Sequence, residues 1–316
     1  MSYLKLTIVA AILIALAGCA SIGTPPRKVD LLIVGATVID PATRAVIPNA
    51  TMVIDDGVIV AVEMTRTGRY DGATTIDATG KFVIPAFVDM HVHWGNGTFK
   101  RRDDMVETTL ARNLYYGVTR ILNLGSNQSS PREIDAFRAK LASGEWRGPK
   151  IYAAGALITV PGSHPTTTIY SPATQLRIAK LVASAPPNGP IYLDPLAVTL
   201  VRTPDDMRAE VQRLSTWGTN TIKIVIESGP DTFGNNHPQM SLDLARTAVE
   251  AAHARPRPIR VMAHVSSVDD VETALAAGVD ATAHAITPST PVGDQLIERI
   301  VEHLFYTPTL TLYDAM

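Results

Sequence analysis

Lys81-Phe-Val-Ile-Pro-Ala-Phe-Val-Asp-Met-His-Val-His-Trp94 is the stretch that decides the fold, an apolar run that ends in two closely spaced histidines. Side chains of a β-strand alternate between its faces, so His91 and His93 point the same way. Two imidazoles on one face at the end of a buried strand form half of a metal site. The alternative is a pair of surface histidines, which the apolar flanks and the nearby Asp89 disfavour.

The composition is that of a folded globular protein. The 316 residues are 46% hydrophobic and 18% charged, and they carry a net charge of −2. This length allows one large or two modest domains, and this hydrophobic content argues against disorder. No basic block is present, so the sequence offers no electrostatic footprint for a nucleic acid.

The first residues have the pattern of a bacterial lipoprotein signal peptide. A positive charge at Lys5 precedes a short apolar stretch, and Leu16-Ala17-Gly18-Cys19 resembles a lipobox. We expect residues 1–19 to be the signal peptide and residues 20–28 a linker. Lipidated Cys19 would then anchor the chain to a bacterial membrane, the outer membrane by our prediction, facing the periplasm. The alternative is an ordinary signal peptide that contains a cysteine.

Residues 29–80 predict a small β module. Short strands are expected at Val29–Gly35, Thr51–Asp55 and Val58–Val62, and Asp56-Gly57 between the last two is a hairpin signal. The module is too short to form a complete domain by itself.

Residues 81–316 alternate between predicted strands and helices. Such alternation implies a parallel sheet, and seven strands favour a (β/α)₈ barrel. The stretch from Gly155 to Asn220 is predicted to be an elaborated loop with a Pro- and Thr-rich middle. The predicted strands are Phe82–Asp89, Val118–Leu124, Lys150–Ala156, Thr221–Ile226, Ile259–His264, Asp280–His284 and Leu304–Leu310. The predicted helices are Asp104–Tyr116, Pro131–Ser143, Pro204–Trp217, Ser241–Ala254 and Val268–Ala277.

Three further barrel strands carry candidate site residues. Lys223 lies inside the apolar run Thr221–Ile226, His264 ends one predicted strand and His284 ends the next. A single buried histidine is more often a hydrogen-bonded core residue than a ligand. Several histidines at the C-terminal ends of barrel strands are a different matter, because that face carries the active sites of barrel enzymes.

This pattern resembles the amidohydrolase superfamily. Pro85-Ala-Phe-Val-Asp-Met-His-Val-His93 looks like the signature of its first barrel strand, with Ala86 in place of the usual Gly. Ala263-His-Val-Ser266 and Ala274-Leu-Ala-Ala-Gly-Val-Asp-Ala-Thr-Ala-His284 resemble its fifth and sixth strand segments. The β module matches the half-sandwich that precedes the barrel in that family. The resemblance covers the chain from about residue 29 to the end.

The resemblance implies a binuclear metal site. His91 and His93 would hold the more buried ion, His264 and His284 the second, and a carbamate on Lys223 would bridge two divalent ions, zinc by our expectation. A shared hydroxide would then attack the carbonyl of an amide. A buried lysine favours its neutral amine, the form that captures carbon dioxide. If Lys223 were instead a salt-bridged strand lysine, a single-metal, deaminase-like site would be the better description.

The resemblance also indicates a class of small-molecule substrate. Thr221-Ile-Lys-Ile and the loop Pro161-Gly-Ser-His164 look most like the imidazolonepropionase-related branch, which includes Xaa-Pro dipeptidases and hydrolases of N-acyl amino acids. His164 and His237 are candidate substrate contacts, although a plain loop position is an open alternative for both. We interpret His253 and His303 as structural or surface residues.

One part of the family pattern has no counterpart here. The eighth barrel strand normally supplies an aspartate that binds metal and acts as the general base, and no residue can be assigned to it, since Asp314 follows the seventh strand too soon. We therefore expect a partial sequence or a truncated product rather than a functional seven-strand barrel. A catalytically dead lipoprotein that only binds metal or ligand is the non-enzymatic alternative.

Overall fold

The computed structural model describes residues 25–64, 68–94, 103–125, 130–193, 197–228, 236–286 and 291–309. The predicted signal peptide and Cys19 lie outside these residues. The chain divides into two compact units, Met1–Pro85 and Ala86–Met316. The division falls after the predicted boundary at residue 81, because Phe82–Val83 pairs with the first strand of the first unit instead of starting a barrel strand.

The first unit is a five-stranded mixed sheet in the order β3-β2-β1-β4, with β5 also paired to β1. Asp56 and Gly57 both have positive φ angles, 50° and 71°, as the predicted hairpin turn between β2 and β3 requires. The strand β4 was not predicted from the sequence. The strands are β1 Arg27–Asp40, β2 Ala45–Asp55, β3 Val58–Glu63, β4 Tyr70–Asp77 and β5 Phe82–Val83.

The second unit is an α/β structure built on parallel strands, as predicted. Its described strands form a three-stranded sheet, β6-β7-β8, and a seven-stranded sheet, β10-β11-β9-β12-β13-β14-β15, and they do not close into a barrel. All pairs in both sheets are parallel except β10 with β11. The strands are β6 Phe87–Val92, β7 Val118–Asn123, β8 Lys150–Ala153, β9 Leu157–Thr159, β10 Ile191–Leu193, β11 Val198–Leu200, β12 Thr221–Val225, β13 Arg260–His264, β14 Ala281–Ala283 and β15 Phe305–Thr307.

Seven helices are present among the described residues of the second unit. Serine or threonine N-caps begin five of them, and Gly278 ends one in the left-handed conformation at φ 78°. They are α1 Asp103–Tyr115, α2 Pro131–Ala142, α3 Pro172–Ser184, α4 Pro204–Thr216, α5 Leu242–His253, α6 Val268–Ala277 and α7 Asp294–His303.

The region from Gly155 to Asn220 is not the single long loop that we predicted. It contains β9, α3, β10, β11 and α4. The helix α3 was missed because its start lies in the Pro- and Thr-rich segment, yet the Ser171 hydroxyl accepts a hydrogen bond from the Thr174 amide and Pro172 takes the first helical position. The predicted strand Lys150–Ala156 is also broken, since the chain turns at Gly155, whose φ is 74°.

The main hydrophobic core lies between the seven-stranded sheet and the helices α4, α5 and α6. All five residues of β12 are buried. Ile222 and Ile224 belong to this core, whereas the alternate residue Val225 packs in a different cluster with Leu157 and Leu200. The face of β12 that carries Lys223 and Val225 therefore points away from α4, α5 and α6, to the opposite side of the sheet.

The buried carboxylate of Asp280 links the N-terminal ends of β13 and β14. Asp280 accepts hydrogen bonds from the Val261 amide at 2.8 Å and from His253 Nε2 at 2.8 Å, and Arg260 donates a third. Burial acts to raise the pKa of Asp280, but these three hydrogen bonds together hold the pKa below its usual value. The interactions confirm that His253 has a structural role.

Asp280→Asn should lower the free energy of unfolding at pH 7 by about 2 kcal/mol, because the hydrogen bonds to a charged acceptor are weakened. The pKa of Asp280 is lower in the folded than in the unfolded state. The ionised carboxylate therefore stabilises the fold at a pH above its unfolded-state pKa of about 3.9, and this stabilisation is lost as the pH falls through the folded-state pKa. The difference in the free energy of unfolding between Asp280→Asn and the unchanged protein, measured by urea unfolding, should narrow below about pH 4.

Asp135→Asn is the matched control, since Asp135 is exposed and lies 3.4 Å from Arg138. An exposed ion pair of this kind contributes about 0–1 kcal/mol. Equal losses of stability in the two variants would contradict the role assigned to Asp280.

Candidate metal centre

The C-terminal ends of the parallel strands bring the predicted ligands together. His91 lies near the end of β6, His93 follows that strand, His264 ends β13 and His284 follows β14. The imidazoles form a continuous series, with ring centroids 4.8 Å apart for His93 and His91, 4.6 Å for His91 and His284, and 4.2 Å for His284 and His264. His164 extends the series by stacking on His264 at 4.4 Å.

Backbone and hydroxyl contacts hold two of these rings in place. His93 Nδ1 donates to the Gly125 carbonyl, so its Nε2 carries the free lone pair. That Nε2 lies 2.9 Å from His91 Nε2, which places two ring nitrogens face to face. His284 Nδ1 lies 3.0 Å from the Thr309 hydroxyl. His284 itself has a positive φ of 76°, a conformation that a non-glycine residue adopts at an energetic cost.

Burial keeps the imidazoles neutral. It lowers the pKa of His91, His93, His264 and His284 below the usual value for histidine, and lowers the pKa of His164 to about 4. The neighbouring Lys223 acts in the same direction on all five. Neutral imidazole is the form that binds metal ions, so no proton has to be displaced from these rings near pH 7.

Lys223 is the most deeply buried ionisable side chain of the site. It is 1% exposed, and its Nζ makes no hydrogen bond with any described residue. Burial lowers the pKa of its amine to about 7. An ion pair, the alternative that the sequence left open, is not present in the part of the chain that the structure describes.

Glu227 belongs to the site and was not predicted from the sequence. Its Oε2 lies 3.3 Å from His264 Nε2 and 3.5 Å from His164 Nδ1, and the residue is 4% exposed. It follows β12 by two positions, so the alternation of Lys223 and Val225 carries it to the same face. That spacing was readable in Thr221-Ile-Lys-Ile-Val-Ile-Glu227, but the predicted strand ended one residue too early to include it.

The two predicted substrate contacts are held by neighbouring threonines. His164, in the loop after β9, has its Nδ1 2.7 Å from the Thr168 hydroxyl and stacks directly on His264. His237 is 9% exposed, and its Nδ1 lies 3.1 Å from the Thr167 hydroxyl. His303 lies on the exposed face of α7, where its Nε2 is 3.6 Å from Glu302 Oε2.

Asp270 fixes the two segments that carry Glu227 and His264. The residue is fully buried at the start of α6. Its Oδ1 accepts from the amide and hydroxyl of Ser228, both at 2.8 Å, and its Oδ2 accepts from the amides of Ser266 and Ser267, both at 3.0 Å. One carboxylate thus sets the spacing between the chain after β12 and the chain after β13.

Comparison with known proteins gives short but significant sequence matches. No protein-family model matches the chain. A dihydroorotase of Trichlorobacter lovleyi is 34% identical over 82 residues, which are 26% of this chain and 19% of that protein. An imidazolonepropionase of Staphylococcus aureus is 54% identical over 48 residues, 15% of this chain and 11% of that protein. The chain thus matches less than a fifth of the length of these curated relatives.

Solved structures match most of the chain. A prolidase complexed with N-methylphosphonate-L-proline has a TM-score of 0.69 at 23% identity, and the match covers 90% of this chain and 67% of that one. A putative prolidase from Bifidobacterium longum has a TM-score of 0.60 at 26% identity, covering 87% of this chain and 58% of that one.

The described strands of the second unit are parallel in all but one pair and carry histidines at their carboxyl ends, and these solved structures share the fold. The short matches to a dihydroorotase and an imidazolonepropionase agree with the resemblance to the amidohydrolase superfamily that the HxH pair and the strand-end histidines indicated.

Lys223→Met should raise the free energy of unfolding of the metal-free protein by about 1–3 kcal/mol, because a buried amine without a hydrogen bond is replaced by an apolar chain of similar length. Lys223→Arg should lower it, because a guanidinium cannot lose its proton. Urea unfolding in the presence of a chelator measures both changes. A loss of stability in Lys223→Met would show that the amine has a stabilising partner.

Proposed function

We propose that this chain belongs to a metal-dependent hydrolase that cleaves a C–N bond of a small substrate. The observation that carries this proposal is the series of neutral imidazoles gathered beside a buried amine that lacks a hydrogen bond. The chemistry of these imidazoles fits a first-row divalent cation, and zinc is the ion we expect.

His91 and His93 would hold one ion, and His264 and His284 the second. Burial lowers the pKa of the Lys223 amine to about 7, so about half of it is neutral near pH 7 and able to form a carbamate with carbon dioxide. The carbamate would supply an anionic oxygen ligand between the two ions. When bound, the ions would acidify a water molecule and polarise the substrate carbonyl.

The protein's own residues would orient the ligands and the substrate. The Gly125 carbonyl fixes the tautomer of His93, and the Thr309 hydroxyl holds the ring of His284. Asp270 keeps the His264 segment in register with the end of β12. His164 lies against His264, so a substrate bound beside His264 would contact it.

We propose a dipeptide or an N-acyl amino acid as the substrate class. Support comes from the fold shared with a prolidase that binds N-methylphosphonate-L-proline, and from the sequence match to an imidazolonepropionase. The residues of this chain that would carry such a preference are His164 and His237, both in loops at the carboxyl ends of the strands.

The chain should bind two divalent ions and hydrolyse members of a panel of Xaa-Pro dipeptides and N-acyl amino acids. His91→Ala should lower the metal content to one ion or fewer per chain and reduce hydrolysis at least about 100-fold, because a ligand is lost from the reacting centre. Elemental analysis of purified protein and a ninhydrin or coupled assay measure the two quantities.

His303→Ala is the control for His91→Ala, since His303 lies on an exposed helical face. A metal content near one ion in the unchanged protein would favour the mononuclear, deaminase-like alternative. Metal binding without hydrolysis of any substrate would favour the non-enzymatic alternative, and the absence of bound metal would refute the proposal.

We also propose that Cys19 is lipidated and that the folded units face the periplasm. The support is the lipobox-like Leu16-Ala17-Gly18-Cys19 after a short apolar stretch. Among the described residues, no helix is long and apolar enough to cross a membrane.

Cys19→Ser should abolish incorporation of labelled palmitate and move the protein from the membrane fraction to the soluble fraction of a bacterial lysate. Lipid attachment supplies the membrane affinity, so both readouts should change together. Equal labelling of Cys19→Ser and the unchanged protein would refute lipidation, and Ser21→Ala serves as the control.

A further inference from the structure

We propose that His164, Glu227 and His264 form a binding group for a first-row divalent cation that does not depend on a carbamate at Lys223. The inference rests on the proposed function through the shared ligand His264. It adds two ligands, Glu227 and His164, that the family resemblance does not assign to metal. The His Nδ1 or Nε2 and the carboxylate oxygen of the three residues all lie within 4.8 Å of one another.

The two separations from the carboxylate match those of ligands around one ion. Glu227 Oε2 lies 3.3 Å from His264 Nε2 and 3.5 Å from His164 Nδ1. Zinc bonds to nitrogen and oxygen of about 2.0–2.1 Å place two tetrahedral ligands about 3.3–3.4 Å apart. Both distances are therefore close to the separation that shared coordination of one ion requires.

The chemistry of the donors also favours a cation. Glu227 brings a carboxylate, a ligand that first-row divalent ions accept, to a position that is 4% exposed and lies between two imidazoles. The three donors together are one oxygen and two nitrogens, a mixed set of the kind that binds zinc.

The three side chains are held by separate parts of the fold. His264 ends β13, whereas Glu227 follows β12. Asp270 sets the distance between the chain after β12 and the chain after β13, because it accepts hydrogen bonds from both. The His164 loop is fixed by the Thr159 hydroxyl, which donates to the His164 carbonyl at 2.7 Å. The Thr168 hydroxyl lies 2.7 Å from His164 Nδ1, so it has to turn away from that nitrogen when the ion binds.

The group gives the site an anionic ligand that is always present. A carbamate forms and decomposes with the supply of carbon dioxide, whereas the Glu227 carboxylate is part of the chain. One ion should therefore remain bound when carbon dioxide is removed or when Lys223 is replaced. The other ion, which would rely on the carbamate, should be lost under the same conditions.

Cobalt titration of the full chain tests this inference. Protein stripped of metal with a chelator is titrated with Co²⁺ in buffer depleted of carbon dioxide, and visible absorption and equilibrium dialysis report coordination and stoichiometry. Lys223→Met should still bind one Co²⁺ per chain with a tetrahedral spectrum. Glu227→Gln and His164→Ala should each weaken that binding at least about tenfold.

Two control variants match these substitutions. His303→Ala removes an exposed histidine of α7, and Glu250→Gln changes an exposed glutamate of α5. Both should bind Co²⁺ as the unchanged protein does. Thermal unfolding of the Glu227→Gln and His164→Ala proteins without metal establishes that they are folded, and Glu227→Asp provides a second, charge-conserving variant that should retain part of the binding.

The outcomes separate this inference from the proposed function. If Co²⁺ binds to the unchanged protein but Glu227→Gln and His164→Ala bind it equally well, the inference is wrong and the proposed function stands. Loss of all Co²⁺ in Lys223→Met would also overturn the inference. If neither the unchanged protein nor any variant binds Co²⁺ or Zn²⁺, both proposals fail together.

Discussion

The burial of the Lys223 amine in the middle of β12 is the constraint on which the rest of the site depends. The strand is buried at every position, and its neighbours β9 and β13 flank it on both sides, so water cannot solvate the amine. Desolvation favours the neutral form of the amine and also of the nearby imidazoles, whose pKa values are lowered first by their own burial and further by Lys223. The same buried interior thus favours the neutral forms of both the lysine and the histidine series.

The sequence predicted the elements of the fold, and the gathering of the strand-end histidines, wherever one strong local signal sufficed. Asp56-Gly57 specified its turn, and Val268–Ala277 was predicted with the bounds that the structure shows, because Ser267 caps its start and Gly278 ends it. The strand-end histidines were predicted because parallel strands place their carboxyl ends at one edge. Turn residues, helix caps and the common direction of parallel strands were therefore enough to predict these elements.

The elements that were missed depend on tertiary contacts. The strand β4 has few buried side chains and exists because it pairs with β1, which no local pattern reveals. The break between β8 and β9 arises because Leu157 pairs with Ala197 and β11 rather than continuing beside β7. Glu227 was missed for a related reason, since its place in the site depends on the chain staying extended past the last ladder residue of β12.

The positions of Lys223 and Glu227 along one face would give the proposed site two different anionic ligands. Four residues of extended chain span about 13 Å, so Lys223 lies deep in the interior and Glu227 at the edge where the strands end. The long lysine side chain reaches toward the edge, and a carbamate would extend it by one more group. Glutamate needs no such extension, because its carboxylate already lies between His164 and His264. A deep donor that depends on carbon dioxide and a permanent donor at the edge would therefore serve different ions, and the ring of His264 is the element they share.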